Sequence, residues 1–310
     1  MERVLITGID GFTGRYLAQE LRNAGFEVSG TSLVQPAESE FNTYACNMLD
    51  PDRVRAVVAA VKPHVVCHLA AIAFVAHGDA DTMYRTNIVG TRNLLASLAE
   101  AEEIPRTVLL ASSSNIYGNA DVDSVHEGVK PSPMNDYAVT KLAMEHMAML
   151  WVDRIPLTFV RPFNYTGVGQ SKLFLIPKIV DHFRRKVPYI ELGNLDVIRD
   201  FSDVRTVVHC YRRLIEVAPD KDLRGEAFNT CSGKGHSLQD ILGSMRRISG
   251  HELEVRVNPA FVRSNDVKKL VGTRAKLEAA IGAVKDISLD ETLSWMFHAS
   301  FEAGSGVTKT

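Results

Sequence analysis

A tyrosine and a lysine four residues apart, Tyr137 and Lys141, are the side chains of this sequence best suited to proton transfer. Residues at this spacing share one face of a helix. A helix is predicted because Asn135 and Asp136 can cap its start and a helix-forming run follows over residues 142–150. A phenol is a poor acid or base at neutral pH, and a neighbouring ammonium would lower its pKa toward the working range. Because this spacing also occurs by chance, the pair indicates chemistry only if the chain binds a cofactor nearby.

A glycine-rich turn near the N-terminus is the predicted cofactor site. Arg3–Thr7 is an apolar run typical of a buried strand, and it leads directly into Gly8, Gly11 and Gly14 and then an amphipathic helix. The first glycine permits a tight turn, the second lets the backbone approach a pyrophosphate, and the third allows close helix–strand packing. The N-terminus of the helix adds N–H donors for phosphate. This order of elements favours a dinucleotide site over a plain turn.

The end of the second predicted strand, Phe26–Ser32, bears on which dinucleotide binds. Sites that prefer NAD place an acidic residue there to hold the ribose hydroxyls. Thr31 and Ser32 occupy that place, and the first acid after them is Glu38. Since nothing in this stretch would repel a 2′-phosphate, NADP(H) is the preferred cofactor. The preference is mild because no arginine follows the strand, so NAD(H) is the alternative.

Strands that alternate with helices predict an α/β fold, a Rossmann-like doubly wound parallel sheet with a smaller mixed C-terminal substrate lobe. In such sheets ligands lie outside the carboxyl ends of the strands. We expect residues 1–164 to form the NADP-binding domain and residues 165–310 to bind the substrate. Segments over about 203–233 are expected to return to the first domain.

Composition and charge exclude several classes of function. The net charge of -2 gives no electrostatic footprint for nucleic acid. The four cysteines include no Cys-x-x-Cys pair and the ten histidines no His-Glu-x-x-His pattern, so no metal site is predicted. No apolar stretch is long enough to span a membrane and no signal segment precedes the first strand, so a cytoplasmic location is expected.

Six motifs together resemble the extended short-chain dehydrogenase/reductase family, which includes nucleotide-sugar epimerases, dehydratases and reductases. They are the glycine turn, His68–Ala71, Asn87–Thr91, Ser112–Gly118, the Tyr137 and Lys141 pair, and Arg161–Asn164. Within the family, four further stretches are similar to the GDP-mannose branch: Arg161–Gln170, Gly193–Phe201, Asn229–Gly233 and Arg263–Gly272.

The resemblance implies three catalytic residues. The Ser113 hydroxyl would hydrogen-bond the substrate O4 and stabilise developing alkoxide charge. Tyr137 would protonate that oxygen while hydride attacks C4. Lys141 would hold the nicotinamide ribose and lower the pKa of the tyrosine.

The resemblance also implies residues that bind cofactor and substrate. The cofactor would contact Gly8, Gly11, Phe12, Thr13, Gly14, Thr31, Ser32, Asn47, Met48, Leu69, Ala70, Ala71, Asn87, Ser112, Tyr137, Lys141, Pro162 and Phe163. The substrate would contact Ser113, Asn115, Asn164, Lys178, Arg199, Arg263 and Asp266. Arg199 and Arg263 would clamp the diphosphate, since a guanidinium fork suits phosphate oxygens, and Asp266 would accept from the GDP ribose.

The implied reaction is the NADPH-dependent reduction of the C4 ketone of GDP-4-dehydro-6-deoxy-D-mannose to a GDP-6-deoxyhexose of the GDP-D-rhamnose type. The implied setting is deoxysugar synthesis for a surface polysaccharide such as lipopolysaccharide, by a homodimer. Dehydratases of this branch carry a carboxylate where this chain has Asn115, and an amide cannot act as the acid that expels a hydroxyl. Phe74, after the alanine pair, is a further departure from the family pattern.

Two alternative functions stay open. A GDP-mannose 4,6-dehydratase or another nucleotide-sugar epimerase or dehydratase would use the same fold and cofactor. A non-catalytic dinucleotide sensor is disfavoured because such proteins typically lose the catalytic tyrosine or lysine, and this chain retains both Tyr137 and Lys141.

Overall fold

The computed structural model describes residues 1–73, 79–262 and 267–299. The strands are β1 (Arg3–Thr7), β2 (Glu27–Ser32), β3 (Asn42–Ala45), β4 (Val65–His68), β5 (Thr107–Ala111), β6 (Leu157–Pro162), β7 (Asn164–Thr166), β8 (Tyr189–Leu192), β9 (Ile198–Asp203), β10 (Ala227–Thr230), β11 (Gly235–Ser237), β12 (Glu254–Val257) and β13 (Lys269–Leu270). The helices are α1 (Phe12–Asn23), α2 (Pro51–Val61), α3 (Ala80–Tyr84), α4 (Thr91–Ala99), α5 (Asp136–Met149), α6 (Leu175–Arg184), α7 (Val204–Val217), α8 (Leu238–Ser249), α9 (Ala275–Ile281) and α10 (Leu289–His298). Within these described ranges, no helix combines the length and apolar character needed to cross a lipid bilayer.

Seven parallel strands form the central sheet, in the order β10-β6-β5-β4-β1-β2-β3. Starting from β1, the strands β2 and β3 extend the sheet on one side, and β4, β5, β6 and β10 extend it on the other. Helices α1 and α7 cover one face, and α2, α4 and α5 cover the other. Central strands are buried on both faces, as apolar runs such as Val4-Leu5-Ile6 predict. The predicted α/β fold with a Rossmann-like sheet is confirmed.

One strand of this sheet and one helix that covers it come from the second half of the chain. Strand β10 pairs with β6 at the edge of the sheet, and α7 packs against α1 through residues such as Val207, Val208 and Leu214. Both are apolar on the side that meets the sheet. The first 164 residues therefore supply only part of the core that surrounds the sheet.

The remaining strands form two small sheets beside the carboxyl edge of the large one. Strand β9 pairs with β7 and β13 in parallel and with β11 antiparallel, whereas β8 pairs with β12 in parallel. Helices α6, α8 and α10 pack on them around Ile179, Phe183, Met245 and Leu293. The strands β3, β7, β9, β11 and β13 were not predicted, because they are short and mostly polar.

The buried carboxylate of Asp200, in β9, links the small sheet to the end of β10. It accepts hydrogen bonds from the Ser232 backbone N at 2.8 Å, the Ser232 hydroxyl at 2.7 Å and the Gly233 backbone N at 2.9 Å. The Gly272 backbone N adds a longer contact of 3.3 Å. Burial raises the pKa of Asp200, and these donors oppose the rise.

A π-helical segment, Arg85–Gly90, joins α3 to α4. It carries Asn87, whose buried amide donates to the Ile72 carbonyl and to the Thr140 hydroxyl, each at 3.0 Å. The Asn87 carbonyl oxygen accepts from the Ile72 backbone N at 2.8 Å. A single side chain thus holds the turn after β4 against α5. Such local π segments often occur at functional sites.

A buried ion pair joins β6 to α5. The guanidinium of Arg161 donates to both carboxylate oxygens of Glu145, at 2.9 and 2.6 Å, and to the Tyr117 hydroxyl at 2.9 Å. The Tyr117 hydroxyl donates to the Asn229 side-chain oxygen at 2.8 Å, which ties β10 into the same network. Burying two charges is costly unless their hydrogen bonds are satisfied, and here they are. The network fixes α5 against the sheet.

We predict that Glu145→Gln lowers the free energy of unfolding by roughly 3 kcal/mol, because Arg161 would keep a buried charge without its partner. The matched control is Glu102→Gln, which breaks an exposed 2.9 Å pair with Lys62 and should leave stability nearly unchanged. Urea unfolding followed by intrinsic fluorescence measures both. Equal effects of the two substitutions would contradict a special role for the buried pair.

Candidate active site

The carboxyl ends of the parallel strands bring the predicted site segments to one edge of the sheet. The glycine turn follows β1, Leu69–Ala71 follow β4, Ser112 and Ser113 follow β5, and Phe163 follows β6. Strand β1 lies between β2 and β4, where the strand order reverses. Ligands of doubly wound folds bind at this position.

The glycine turn has the shape that a dinucleotide requires. Gly8 has a φ of 72°, and its backbone N and that of Ile9 both donate to the Thr31 carbonyl at 3.0 Å. A Cβ on Gly14 would lie 2.2 Å from the Gly8 carbonyl oxygen, so only glycine fits there. Helix α1 begins directly after Gly11 and presents its first N–H groups at the same edge.

A buried hydroxyl that follows β5, at the same edge of the sheet, is suited to binding a ligand. The Ser112 hydroxyl is buried and has no hydrogen-bond partner within the described ranges. Buried polar groups normally have a partner, so this oxygen is suited to a ligand atom. The glycine turn and this hydroxyl together fit a nicotinamide dinucleotide.

The predicted catalytic residues meet beside β5. Asn135 caps α5, accepting from the Ala138 backbone N at 2.9 Å, so Tyr137 lies in the first turn of the helix. The Ser113 side chain lies close enough to the Tyr137 hydroxyl to lower its pKa. The Lys141 ammonium donates to the Ala111 carbonyl at 2.7 Å and lies 5.8 Å from the centre of the Tyr137 ring. The structure therefore brings all three residues together.

Burial controls the ionisation of this cluster. It raises the pKa of Tyr137 well above its ordinary value, with a smaller contribution from Tyr165, while the Ser113 side chain acts in the opposite direction. Burial also lowers the pKa of Lys141 to about 8, and Glu145 opposes this change. The expectation that Lys141 lowers the pKa of the tyrosine is therefore wrong for the chain by itself. Tyr137 is protonated at neutral pH.

His68, at the end of β4, is a structural member of the site. Its two ring nitrogens are hydrogen-bonded to the Thr7 hydroxyl at 2.7 Å and to the Thr91 hydroxyl at 2.8 Å. Burial, with a contribution from the Lys141 charge, lowers the pKa of His68 to about 3. The neutral ring therefore links β1, β4 and α4 below the site.

Several predicted cofactor residues are engaged with the protein. The Thr13 hydroxyl is hydrogen-bonded to the Tyr165 hydroxyl at 2.7 Å, and the Phe12 ring stacks on the Tyr165 ring with centres 6.0 Å apart. Phe163 is 2% exposed, and its ring packs against the ring of Tyr117. The polar group of Asn87 is used to hold Ile72, as described above.

Two other predicted cofactor residues lie near β3. The Asn47 side chain accepts from the Leu49 backbone N at 3.0 Å, and Met48 is buried in the core under α2 and α4. Ala70 and Ala71 are half-buried after β4, and Pro162 is buried at the end of β6.

Tyr165 is the functional candidate that sequence reasoning missed. It lies close enough to Tyr137 for its charge to raise that pKa, and it contacts α1 through Thr13. Tyr165 directly follows the Arg161–Asn164 motif, and this position was a signal in the sequence. Its contact with Thr13, which is 152 residues away in the chain, cannot be predicted from sequence spacing.

Four of the predicted substrate residues lie on different described elements: Asn115 follows β5, Asn164 is in β7, Lys178 is in α6 and Arg199 is in β9. Asn115 is half-buried in a short 3₁₀ helix after Ser113, and the Asn164 amide donates to the Asp200 carbonyl at 3.4 Å. The Lys178 ammonium donates to the Glu191 carbonyl at 2.7 Å and lies 4.5 Å from the centre of the Phe261 ring. The Arg199 guanidinium donates to the Ile198 carbonyl at 3.1 Å.

Three residues named from the sequence fall outside the described ranges. They are Phe74, Arg263 and Asp266. Their predicted roles stay predictions.

The end of β2 differs from the sequence-based expectation. The Ser32 hydroxyl donates to the carboxylate of Asp10, a residue of the glycine turn, at 2.7 Å. The Asp10 carboxylate thus lies beside the end of β2, the region where doubly wound folds bind the adenosine ribose, although it comes from the turn after β1. The expectation that nothing near this strand end would repel a 2′-phosphate depended on the residues that follow Phe26–Ser32 and left out this carboxylate.

Comparison with known proteins gives a match over almost the whole chain. A sequence profile described as GDP-mannose 4,6 dehydratase matches residues 5–296. The GDP-6-deoxy-D-talose 4-dehydrogenase of Aggregatibacter actinomycetemcomitans is 35% identical over 283 residues, covering 90% of this chain and 91% of that protein. The GDP-6-deoxy-D-mannose reductase of Pseudomonas aeruginosa is 30% identical over 303 residues, covering 94% and 95%.

Solved structures agree. One from Burkholderia cenocepacia J2315, provisionally described as an epimerase, superposes with a TM-score of 0.89 at 49% identity, covering 96% of this chain and 97% of that chain. RMD from Pseudomonas aeruginosa, complexed with NADPH, has a TM-score of 0.81 at 28% identity and coverages of 96% and 98%. The similarity extends over the large sheet, the site and the small sheets alike.

The lowered pKa of Lys141 predicts a pH-dependent stability difference. In the unfolded chain the lysine has its ordinary pKa of 10.5, whereas in the folded chain the pKa is about 8. Between these values the unfolded state binds more protons, so the wild type gains stability relative to Lys141→Met as pH rises, by at most about 1.4 kcal/mol per pH unit. Urea unfolding of both proteins from pH 7 to 10 measures the difference. A difference that stays constant, or that falls with pH, would contradict the buried position of the ammonium.

Proposed function

The chain belongs to the GDP-mannose 4,6 dehydratase family of extended short-chain dehydrogenases/reductases, and we propose that it reduces the C4 ketone of GDP-4-dehydro-6-deoxy-D-mannose to a GDP-6-deoxyhexose. Membership confirms the resemblance drawn from the motifs and makes the chain an NAD(P)-dependent oxidoreductase of nucleotide sugars. The observation that carries the proposal is the protonated Tyr137 hydroxyl beside Ser113 and Lys141, with an amide rather than a carboxylate at Asn115.

The proposed chemistry assigns one proton transfer to the protein. The dinucleotide, once bound at the glycine turn, supplies a hydride to C4 of the sugar. Tyr137 donates its proton to the substrate O4, and a raised phenol pKa suits a donor because an alkoxide is a much stronger base than a phenolate. The Ser113 hydroxyl stabilises charge on the same oxygen. Lys141 holds the ribose next to the nicotinamide and, with a pKa of about 8, can replace the tyrosine proton near neutral pH.

Asn115 supports reduction over dehydration. Loss of water from a hexose needs a group that protonates the leaving hydroxyl, in addition to the tyrosine that serves O4. Asn115 lies in the short helix that begins after Ser113, and its amide cannot take up or release a proton in the working range. A reductase needs only the proton from Tyr137.

The division of the chain is part of the proposal. We propose that residues 1–164, with about 203–233, bind the dinucleotide and that the rest of residues 165–310 binds the GDP-sugar. The packing of α7 on the large sheet and the pairing of β10 with β6 support this division. Lys178, Arg199, Arg263 and Asp266 are the proposed contacts to the nucleotide and its diphosphate, with Asn164 on the sugar side.

The configuration of the product distinguishes two candidates. Reduction to the GDP-D-rhamnose type is the first, as for the relative named GDP-6-deoxy-D-mannose reductase. A 6-deoxy-D-talose product, the C4 epimer, is the second, and the 35% identity to GDP-6-deoxy-D-talose 4-dehydrogenase favours it. Both need the same tyrosine, serine and lysine, and they differ in the face of C4 that meets the nicotinamide.

Two finer expectations concern cofactor and setting. NADPH is supported by the structure of Pseudomonas aeruginosa RMD with that cofactor, whereas Asp10 at the end of β2 opposes it. The proposed setting is synthesis of a surface polysaccharide such as lipopolysaccharide, by a cytoplasmic homodimer. The family resemblance implies that the two protomers pack through the helical segments that carry Asn87 and Tyr137. Val89 and Met149, on these segments, are more than 40% exposed, which supports a dimer.

Incubation of the purified chain with GDP-4-dehydro-6-deoxy-D-mannose and either reduced nicotinamide cofactor tests the reaction. We expect loss of the reduced-nicotinamide absorbance and, by NMR, a GDP-6-deoxyhexose whose C4 coupling constants identify the rhamnose or talose form. Incubation with GDP-mannose should release no water by mass spectrometry. No cofactor oxidation above a control without sugar, or dehydration of GDP-mannose, would refute the proposal.

We predict that Tyr137→Phe lowers kcat by roughly 10²–10⁴-fold while the affinity for reduced cofactor changes little, because only the proton donor is lost. The matched control is Tyr84→Phe, which removes a hydroxyl that donates to Asp136 at 3.1 Å at the start of the same helix. Steady-state kinetics and cofactor fluorescence titration measure both quantities. Preserved turnover with a large loss of cofactor affinity would show that Tyr137 acts in binding and not as the acid.

A further inference from the structure

The glycine turn carries a carboxylate to the end of the neighbouring strand. Strands β1 and β2 are in register with Thr7 opposite Thr31, so the turn that follows Thr7 lies beside Ser32. Asp10, the third residue of that segment, is exposed, and its carboxylate accepts a hydrogen bond of 2.7 Å from the buried Ser32 hydroxyl. The hydrogen bond fixes the position of the charge, because Ser32 itself belongs to the strand.

The end of the second strand is where doubly wound folds read the adenosine ribose. A carboxylate there accepts from the 2′-hydroxyl of NAD and repels the 2′-phosphate of NADP. Here the strand end supplies only Thr31 and Ser32, and the carboxylate comes from the glycine turn. One oxygen of Asp10 meets Ser32, and an ionised carboxylate has about four acceptor sites in all, so it can also accept from the ribose.

We propose that Asp10 is the specificity-determining residue that makes this chain bind NAD(H) in preference to NADP(H). The inference deepens the proposed function, on which it rests, by naming the reductant of the same site. It replaces the mild preference for NADPH, which depended on the absence of an acid after β2.

The arginines on neighbouring elements are directed to other groups. Arg22 lies 3.5 Å from the carboxylate of Glu40, and Arg53 donates to the Ala45 carbonyl at 2.7 Å. Arg15 donates to the Gly169 carbonyl at 3.4 Å. Each of these three guanidinium groups therefore contacts a group other than Asp10, whereas the Asp10 carboxylate is held at the end of β2 by Ser32. The local charge therefore disfavours a phosphate group with close to two negative charges.

Fluorescence titration of the purified chain with NADH and NADPH, without any sugar, tests the proposal. We expect NADH to bind about tenfold or more tightly than NADPH at low salt, given the repulsion between the carboxylate and the phosphate. The preference should decrease as salt is raised, because the Asp10 charge is exposed. Asp10→Asn should strengthen NADPH binding about tenfold and change NADH binding by a few fold at most.

The matched control is Asp52→Asn, which removes another exposed carboxylate of the same domain, one that pairs with Arg55 at 2.7 Å. It should leave the ratio of the two dissociation constants unchanged. Equal or tighter binding of NADPH by the wild type, or an unchanged ratio in Asp10→Asn, would overturn the proposal. Retained NADH binding by Asp10→Asn shows that the variant is folded.

The outcome is separable from that of the proposed function because the titration needs no sugar. A preference for NADH that disappears in Asp10→Asn supports this inference even if no 4-keto sugar is reduced. Reduction of the sugar by NADPH alone would support the proposed reaction and overturn the role of Asp10.

Discussion

The buried ion pair between Arg161 and Glu145 is the constraint on which the site depends. Two charges are held inside the protein only because each has hydrogen-bond partners. The resulting network joins Arg161 of β6 and Glu145 of α5 to Tyr117, which follows β5, and to Asn229 of β10. The pair connects α5 directly to β6 of the large sheet. Tyr137 and Lys141 lie on that helix, about two turns and one turn before Glu145, so the ion pair helps to set their position relative to Ser113. Local helix propensity alone could not define this position.

Burial gives the site its ionisation state. The same loss of water contact raises the pKa of Tyr137, lowers that of Lys141 and lowers that of His68. Each shift favours the neutral form of its group. At neutral pH Tyr137 and His68 are therefore uncharged, whereas Lys141, with a pKa of about 8, stays mostly protonated. At the glycine turn, a ligand that brings its own diphosphate charge meets the positive end of the α1 dipole.

Local patterns predicted much of this molecule. The apolar strands, the glycine turn, the cap at Asn135 and the helix that carries Tyr137 and Lys141 depend on residues near one another in sequence, and all were found. The π segment around Asn87 could not be predicted because its hydrogen bonds reach Ile72 and Thr140.

Contacts between distant residues explain the remaining misses. The carboxylate of Asp10 at β2 and the contact between Thr13 and Tyr165 are products of register and of a partner far along the chain. The pKa of Tyr137 was expected to be lowered by Lys141 but is raised by burial. The spacing of two residues shows that a charge is near, whereas it does not show how deeply a side chain is buried.

The return of α7 and β10 to the large sheet has a consequence for how the chain is made. A ribosome releases the glycine turn first, yet α7, whose apolar side covers α1 and the strands beneath it, is synthesised almost two hundred residues later. At about 5–20 residues per second, the nascent sheet keeps one apolar face open for on the order of ten seconds or more. During that interval the emerging chain is a natural client for chaperones, and the edge that β10 later covers is open to pairing with another chain.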